Sequence, residues 1–472
     1  MLGLVFSNLL FIYLFLPLCL FLYYLTKNPA VRNGVLIVFS LIFYSFGEPV
    51  AILLMASSTL IDYCNGLFIE KNRGRKIAVL GVIISLVYNL GALCLFKYSG
   101  FLVTNFDLLT GLSIPVPKLT LPIGISFYTF QTISYVADVY RGKTKAQRNY
   151  FNYLLYVSMF FQLVAGPIVR YTDIAEQIGD RKCTAEDMFG GWVKFIIGLG
   201  KKVIIANCVG GITDSLIGNS AVPASVLAAW SGIILYTLQI YFDFSGYSDM
   251  AIGLGKMFGF SLPENFNYPY ISKSASEFWR RWHISLGSFF RDYVYIPMGG
   301  NRRHQLLNVA VVWFLTGLWH GASWNYILWG LYFGVLISLE KLFFGKVLDK
   351  LPAVFSHIYV LIVIIFGWLL FYFEDMGAMG QCLKVMFGAA PAADDITVSL
   401  LKGSCFVIAA GIIFSCPVYG YVVKKAEAAA ERSAAARVIF QIIGMILLLG
   451  VLTVSSLLLV KQTYNPFLYF RY

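Results

Sequence analysis

Long apolar runs separated by short polar segments dominate the sequence. Runs of about 20 apolar residues can cross a hydrocarbon core about 30 Å thick, and in lipid they must be helical to satisfy their own backbone groups. The pattern therefore predicts an all-α, polytopic membrane protein with about ten to thirteen crossings. The expected spans lie near residues 4–25, 34–46, 49–69, 77–96, 151–168, 190–209, 225–245, 305–320, 323–343, 354–373, 399–423 and 438–460.

Two apolar, aromatic stretches do not fit plain spans. Residues 119–140 are interrupted by a proline and a glycine, and residues 285–296 are interrupted by Arg291 and Asp292. Breaks of this kind are tolerated at membrane depth only where the chain is buried in protein or lines a cavity. We therefore expect re-entrant or interfacial helices there, within a single membrane domain that covers residues 1–472.

Composition supports membrane placement and excludes several classes of protein. The 472 residues are 59% hydrophobic and 13% charged, whereas a soluble domain carries about 25% charged residues. The formal net charge of +12 does not indicate nucleic-acid binding, because the Lys and Arg residues lie in short clusters between apolar runs, where basic loops mark the cytoplasmic side. The eight Cys residues form no CxxC pair, so neither a disulfide framework nor a metal site is predicted.

Four histidines occur, and their surroundings differ. His304 lies in a basic loop, which predicts a solvated role. His357 opens a span, which predicts an interfacial or packing role. His320 ends an apolar run, and an ionisable group at that depth is a hypothesis of function. A neutral imidazole there is able to take a proton from a hydroxyl that attacks an acyl carbonyl. A hydrogen bond to a neighbouring helix is the alternative, and the residues alone leave both open.

His283 belongs to the densest mixture of charge and aromatic rings in the chain, SEFWRRWHISLGSFFRDY. The arginines of this segment are able to reach lipid headgroups, to bind anions with two hydrogen bonds, or to pair with its acids. An interfacial amphipathic helix and a cavity wall that holds the phosphate or thioester arm of an acyl donor are both compatible with the segment. The charged residues concerned are Glu277, Arg280, Arg281 and Asp292.

A third polar segment, QIYFDFSGYSDM, carries Asp243 and Asp249. The two acids are six residues apart and do not share a helical face, which argues against a site of paired carboxylates. We expect them to neutralise arginines or to bond helix ends inside the bundle. The motifs GxGxxG, GxxxxGK[ST], GxSxG and HExxH do not occur, so nucleotide hydrolysis, a nucleophile-elbow hydrolase and a zincin are unsupported.

The motifs resemble the membrane-bound O-acyltransferase (MBOAT) superfamily, and within it the alginate O-acetyltransferase branch. Residues 277–302, EFWRRWHISLGSFFRDYVYIPMGGNR, are similar to the long signature of that branch, and residues 316–325, TGLWHGASWN, are similar to the histidine motif of the superfamily. Segments that begin at Ser126 and Tyr241, and the closing PFLYFRY, are similar to the same branch. The resemblance therefore extends over nearly the whole chain.

The resemblance implies an MBOAT fold with a funnel-shaped core, in which His320 is the catalytic histidine and His283 is a second catalytic position. The donor would reach the site from the cytoplasm and the acceptor from outside. We expect no metal and no bound cofactor. The expected substrate-binding residues are Trp279, Arg280, Arg281, Trp319 and Asn325, and the expected structural polar residues are Asp243, Asp249, Glu277 and Asp292.

The expected activity is transfer of an acetyl group from a cytoplasmic thioester, such as acetyl-CoA, to a hydroxyl of an extracytoplasmic polysaccharide: an alginate-like polymer, peptidoglycan or another envelope glycan. The resemblance implies an SGNH-type extracytoplasmic acetyltransferase as partner and a multi-pass location in the lipid of the bacterial cytoplasmic (inner) membrane. Teichoic acid D-alanyl transfer proteins share the RWH and WHG elements and are the alternative, although PMGGNR and DVYRG favour the acetyl branch. A transporter with a histidine proton relay is a remote third interpretation, against which the lack of visible repeats counts.

Overall fold

The structure is a computed structural model of the whole chain. In the part that it describes, the chain forms helices, turns and irregular segments and no strands, which confirms the all-α fold class. The Cα positions separate into two compact units, each assembled from two stretches of sequence. The described residues are 4–117, 119–163, 166–218, 222–461 and 467–468.

The first unit consists of Met1–Phe195 and Met250–Pro263. Helices α3, α4 and α5 of this unit pack against one another around a buried carboxylate, because Asp62 accepts hydrogen bonds from Asn89 at 2.7 Å and from Asn65 at 3.3 Å. The helices of this unit are α1 (Phe11–Tyr24), α2 (Pro29–Gly47), α3 (Ala51–Lys71), α4 (Ala78–Thr110), α5 (Ile125–Tyr140), α6 (Tyr150–Ser158), α7 (Phe160–Leu163) and α8 (Tyr171–Gly179).

The second unit consists of Ile196–Asp249 and Glu264–Tyr472. Two long helices, α9 (Ala185–Ile217) and α10 (Val226–Met257), have residues in both units. The other helices of the second unit are α11 (Ala275–Arg281), α12 (Ile284–Phe290), α13 (Gln305–His320), α14 (Trp324–Leu348), α15 (Ala353–Tyr372), α16 (Met376–Met386), α17 (Asp395–Gly403), α18 (Cys405–Phe414), α19 (Val418–Arg432) and α20 (Ala434–Lys461).

Eight described helices are long and apolar enough to cross a membrane, namely α2, α3, α4, α9, α10, α14, α15 and α20. The number becomes nine if α17 and α18, which are bent by 62° at their junction, form one span. This is fewer than the ten to thirteen crossings expected from the sequence, partly because α1 and α13 are apolar but shorter than a full span. The chain is therefore a multi-pass membrane protein.

Two of the predicted spans are interrupted. The apolar run at residues 151–168 forms α6 and α7, because Met159 leaves the helical region with φ −47° and ψ 117°. The N–H of Phe160 after this break donates to the Ser40 hydroxyl at 3.1 Å, so the break leaves that backbone group satisfied. The run at residues 399–423 forms α17, α18 and the start of α19 in place of one straight span.

The two stretches expected to be re-entrant or interfacial form short helices outside the eight spans. In residues 119–140, α5 begins after Gly124, whose φ of +77° favours glycine. In residues 285–296, α12 continues into a π-helical turn at Arg291–Tyr295. Neither helix exceeds 16 residues, or about 24 Å, which is too short for a perpendicular crossing.

Helices α13 and α14 approach each other backbone to backbone. A Cβ atom at Gly317 would lie 2.3 Å from the carbonyl oxygen of Tyr326, and one at Gly330 would lie 2.3 Å from the carbonyl oxygen of Trp313. Small residues permit this spacing between membrane helices, where van der Waals contact supplies much of the association energy. The two glycines therefore fix the position of α13 against α14.

Replacement of Gly317 by alanine tests this contact. The new methyl group must push the two helices apart, so we expect Gly317→Ala to lower the free energy of unfolding by about 1–3 kcal/mol. Thermal unfolding of the purified protein in detergent measures the change. Gly444→Ala in α20 is the matched control, because nothing lies within 4 Å of its Cβ position. Equal stability of the two variants would contradict the proposed contact.

Candidate active site

Helix α11, which carries the two arginines of the RRWH motif, is held at its N-terminus by two side chains. The Ser274 hydroxyl accepts a hydrogen bond from the Glu277 N–H at 3.0 Å. The buried Glu340 carboxylate, from α14, accepts the N–H groups of Ala275 at 2.7 Å and Ser276 at 2.8 Å. A carboxylate satisfies the free N–H groups of a helix start and interacts favourably with the helix dipole. Glu340 therefore fixes the start of the segment that leads to His283.

The charged residues of this segment largely pair with one another. Arg281 and Glu277 form an ion pair with 2.9 Å between Nη2 and Oε1, and Arg291 and Asp292 form one with 2.7 Å between Nε and Oδ1. Pairing was one of the interpretations that the sequence left open. Arg280 is exposed. Arg291 is exposed as well, but it is paired with Asp292, so Arg280 is the exposed arginine of this segment that forms no ion pair with a described residue.

His283 is buried, and its hydrogen bonds fix its tautomer. Its Nδ1 lies 3.1 Å from Oδ1 of Asn265, and the same oxygen accepts the N–H of Ser285 at 3.1 Å and its hydroxyl at 2.9 Å. Because that oxygen only accepts, Nδ1 of His283 carries the proton and Nε2 carries the lone pair. Nε2 has no hydrogen-bond partner among the residues that the structure describes.

Burial controls the charge of His283, which lies outside the eight spans. Desolvation lowers the pKa of its imidazole from 6.5 to about 3, so the ring is neutral near pH 7. Its φ of +45° places it in the left-handed region between α11 and α12. The ring packs edge-on against Phe244 at 4.7 Å and lies 6.0 Å from the ring of Trp319.

His320 is the last residue of α13, and aromatic rings surround it. Its ring centroid lies 5.0 Å from that of Trp319, 4.9 Å from that of Trp329 and 5.2 Å from that of Phe371. The side chain is buried and lines a small, mostly apolar pocket inside the second unit. The other lining residues are Ile240, Asp243, Phe244, Trp282, Trp329, Trp368, Phe371, Phe467 and Leu468.

The two acids of α10 pair with neighbouring lysines of α9. Asp243, on the pocket wall, forms a buried ion pair with Lys202 and also accepts the backbone N–H of Leu468 at 2.9 Å. Asp249 pairs with Lys201 at 2.6 Å. The ion-pair partners found among the described residues are thus lysines, where arginines or helix ends were expected, and these two consecutive lysines begin the π-helical turn at Lys201–Ala206. The structural role expected for both acids agrees with these contacts.

Trp319 lies close to both histidines in the structure, whereas Trp279 and Asn325 make other contacts. Trp319 lies between the two histidines, in ring contact with both. Trp279 packs among other rings, at 4.9 Å from Trp313, and Asn325 donates to the carbonyl oxygen of Leu370 at 3.4 Å. Of the residues expected to be catalytic or substrate-binding, His320 is the one found on the described pocket wall, and the substrate roles of Trp279, Arg280, Arg281, Trp319 and Asn325 stay predictions.

Several site residues were missed by the sequence reasoning. Lys202 and Glu340 sit inside or beside apolar runs, and an isolated charge in such a run is itself a signal of a buried polar contact. The pocket aromatics have no such signal, since Trp and Phe are frequent throughout the chain. Phe467 and Leu468 belong to the closing PFLYFRY, of which residues 466 and 469–472 lie outside the described residues.

Removal of the Glu340 charge tests its hold on α11. The two N–H groups bond different oxygens of Glu340, and the amide of Glu340→Gln has one oxygen only, so one N–H loses its acceptor and the other bond loses its charge. We therefore expect the free energy of unfolding to fall by about 1–3 kcal/mol. Thermal unfolding in detergent is the measurement. Glu186→Gln, at an exposed position, is the control and should behave as wild type. A Glu340 variant as stable as this control would rule out the proposed clamp.

Acid titration tests the buried neutral state of His283. Because its pKa is lower in the folded protein than its ordinary 6.5, the unfolded chain binds the proton first as the pH falls. This contribution to stability is complete above about pH 6.5 and is lost as the pH falls toward 3. We expect unfolding curves at about pH 7 and about pH 5 to differ less for His283→Gln than for wild type. His304→Gln, at an exposed position, should keep the wild-type difference, and an unchanged difference in His283→Gln would contradict the assignment.

Comparison with known proteins agrees with the motifs. Residues 146–376 match the family described as MBOAT, membrane-bound O-acyltransferase family. The probable alginate O-acetylase AlgI of Pseudomonas aeruginosa is 39% identical, over 81% of this chain and 75% of its own length. The peptidoglycan O-acetyltransferase of Helicobacter pylori is 34% identical, over 82% of this chain and 80% of its own.

A more distant similarity reaches the alternative branch. The teichoic acid D-alanyltransferase of Bacillus subtilis is 30% identical, over 53% of this chain and 67% of its own length. Identity and coverage are thus both lower than for the two O-acetyl-transferring relatives. The expected family is confirmed: the chain belongs to the membrane-bound O-acyltransferase family and is an O-acyltransferase.

Proposed function

We propose that the protein transfers an acetyl group from a cytoplasmic thioester donor, acetyl-CoA or a related acyl thioester, for O-acetylation of an extracytoplasmic envelope polysaccharide. The observation that carries the proposal is the position of His320, a buried histidine on the wall of a small pocket in a chain whose relatives include alginate O-acetylases. Histidine is the side chain whose ordinary pKa suits proton removal from a hydroxyl at neutral pH.

The size of the pocket supports a short acyl group. Three indole rings and a phenyl ring, those of Trp282, Trp329, Trp368 and Phe371, occupy much of its wall. Packed interiors of this kind do not expand for long chains without a cost in packing. An acetyl group adds only two carbons and one oxygen to the sulfur of its carrier, so it suits this site better than a fatty acyl chain.

In the proposed reaction, the oxygen of an acceptor hydroxyl attacks the carbonyl carbon of the thioester. Nε2 or Nδ1 of His320 accepts the hydroxyl proton as the new C–O bond forms. The carbon–sulfur bond then breaks, and the thiolate leaves and takes up a proton. A general base of this type contributes about 10²- to 10⁴-fold to the rate.

The remaining polar residues of the motif serve the donor in this proposal. His283 is neutral and presents an unprotonated Nε2, so it accepts a hydrogen bond and does not pair with a phosphate. The exposed Arg280 is the more suitable group for the phosphates of a coenzyme A donor, because Arg281 is engaged with Glu277. None of these proposed roles requires a metal or a resident cofactor.

The acceptor side of the proposal involves other molecules. We place the protein in the bacterial cytoplasmic membrane, where an SGNH-type extracytoplasmic partner delivers the acetyl group to the glycan. The names of the relatives support the glycan acceptor of this proposal, because they describe a probable alginate O-acetylase and a peptidoglycan O-acetyltransferase. Direct transfer to the glycan and relay through the partner both fit the same step at His320.

The electrostatics of the pocket favour acetyl over D-alanyl transfer. A D-alanyl thioester carries an ammonium group, which needs an acidic or otherwise polar partner when it is buried. Asp243 is the acid on the described pocket wall, and it is already neutralised by Lys202 and bonded to the N–H of Leu468. An uncharged acetyl group requires no such partner.

The test is the content of base-labile acetate in the envelope polymers of cells that carry wild type or His320→Ala. We expect the esterified acetate to fall to the level of cells without the gene, because the general base is lost. Acetate is released with mild alkali and quantified after equal membrane expression has been verified.

His304→Ala is the matched control, because it removes an exposed histidine and should leave acetate at the wild-type level. Wild-type acetate in the His320 variant would refute the role of His320. A loss of esterified alanine with unchanged acetate would instead support D-alanyl transfer.

A further inference from the structure

Trp329 has a feature that packing alone does not explain. It is fully buried in α14 and lines the same pocket as His320, with the two ring centroids 4.9 Å apart and the ring planes at 81°. Its indole Nε1–H has no hydrogen-bond acceptor among the residues that the structure describes. An unpaired donor therefore lies next to the proposed general base.

Buried indole N–H groups usually find an acceptor. Nε1 of the part-buried Trp230 follows that rule and donates to the carbonyl oxygen of Met386 at 3.0 Å. The buried Nε1 atoms of Trp279 and Trp368 also have no acceptor among the described residues, but of these three unpaired indoles Trp329 is the one whose ring contacts that of His320. A buried donor without an acceptor costs free energy, and such groups occur where a ligand or a reaction supplies the missing partner. The pocket beside His320 is a place where a substrate would supply one.

We propose that Trp329 is a catalytic residue, whose Nε1–H donates a hydrogen bond to the carbonyl oxygen of the acyl thioester and stabilises the oxyanion that develops there. This inference rests on the proposed function. It adds a hydrogen-bond donor for the carbonyl oxygen to the general base that the proposed function already contains. His320 was singled out by its motif, whereas Trp329 lies four residues beyond the end of the TGLWHGASWN motif.

The chemistry assigns complementary tasks to the two side chains. As the hydroxyl oxygen bonds to the carbonyl carbon, its proton moves to His320 and the C=O electron pair moves onto the carbonyl oxygen. A donor aimed at that oxygen gains strength as the charge grows, most of all in a site that excludes water. When the carbonyl re-forms, the carbon–sulfur bond breaks and the thiolate leaves with the electron pair and takes up a proton.

An alternative role for Trp329 would involve its aromatic ring and not its N–H group. An aromatic ring packs against the imidazole, and its face attracts the imidazolium that forms when His320 accepts the proton. This role needs the indole ring and does not need the N–H. An isosteric change that removes the N–H and keeps the ring separates the two.

The experiment compares Trp329→Phe with a protein in which Trp329 is replaced by 3-benzothienylalanine, which has sulfur in place of the N–H. Membrane vesicles that contain each full-length protein receive radiolabelled acetyl-CoA over a range of concentrations, and alkali-labile label in envelope material is counted. We expect both replacements to lower the saturating rate about 100- to 1000-fold. The half-saturating concentration of acetyl-CoA should change less than about threefold, because the hydrogen bond strengthens in the transition state.

Trp313→Phe is the matched control. It makes the same chemical change on a ring that contacts Trp329 at 6.1 Å but does not belong to the described pocket lining, and it should keep the wild-type rate. Near wild-type activity of the benzothienylalanine protein would overturn the inference and leave the proposed function standing. A wild-type protein that transfers no label from acetyl-CoA would overturn both.

Discussion

The position of His320 depends on a contact in which two helix backbones meet with no side chains between them. Helix α13 ends at His320, and its last two turns lie against α14 because Gly317 faces the Tyr326 carbonyl and Gly330 faces the Trp313 carbonyl. Gly321, directly after His320, also faces Tyr326, whose ring carbon would lie 2.2 Å from an added Cβ. The imidazole, the ring of Trp329 and the pocket wall are placed together by this close approach.

Charges buried around the pocket are satisfied locally. Lys202 neutralises Asp243, and Glu340 accepts the N–H groups at the start of α11. Each contact offsets part of the desolvation free energy of the buried charge. Removal of one partner would leave the other charge buried without compensation. The result is a site in which His320 meets mostly aromatic surface, where a proton transfer or a developing oxyanion is affected strongly by a few well-placed groups.

The helical membrane fold and the two buried histidines could be predicted from the sequence. The helical membrane fold follows from the apolar runs, and His320 and His283 stand out because ionisable residues are rare in such a chain. The break at Met159 was not predictable, because no proline or charge marks it and its N–H partner at Ser40 is distant in the sequence. The break between α17 and α18 follows Lys402 and Gly403, which mark the position but do not reveal the 62° bend. The lysine partners of Asp243 and Asp249 depend on a π-helical turn, which hydrophobic periodicity does not reveal.

The residues of the pocket wall were also not predictable from the sequence. Its residues come from α10, α13, α14 and α15, from Trp282 between α11 and α12, and from the segment at residues 467–468, and no spacing in the sequence relates them. The predicted donor residues at Arg280 and Arg281 follow from charge in a motif, but only the structure reveals that Arg281 is engaged by Glu277. Local motifs thus indicated His320 as the proposed base, and its surroundings depend on tertiary packing.

The proposed function requires that the pocket at His320 moves an acyl group from a thioester to a hydroxyl. The most direct measurement is acyl transfer by the purified protein in liposomes, with radiolabelled acetyl-CoA on one side of the membrane and the SGNH-type partner and a soluble polysaccharide fragment on the other, for wild type and His320→Gln. We expect alkali-labile label on the acceptor with wild type and a loss of at least about 100-fold with the variant, because the proposed general base is removed. Equal transfer by both proteins would contradict the proposed role of His320.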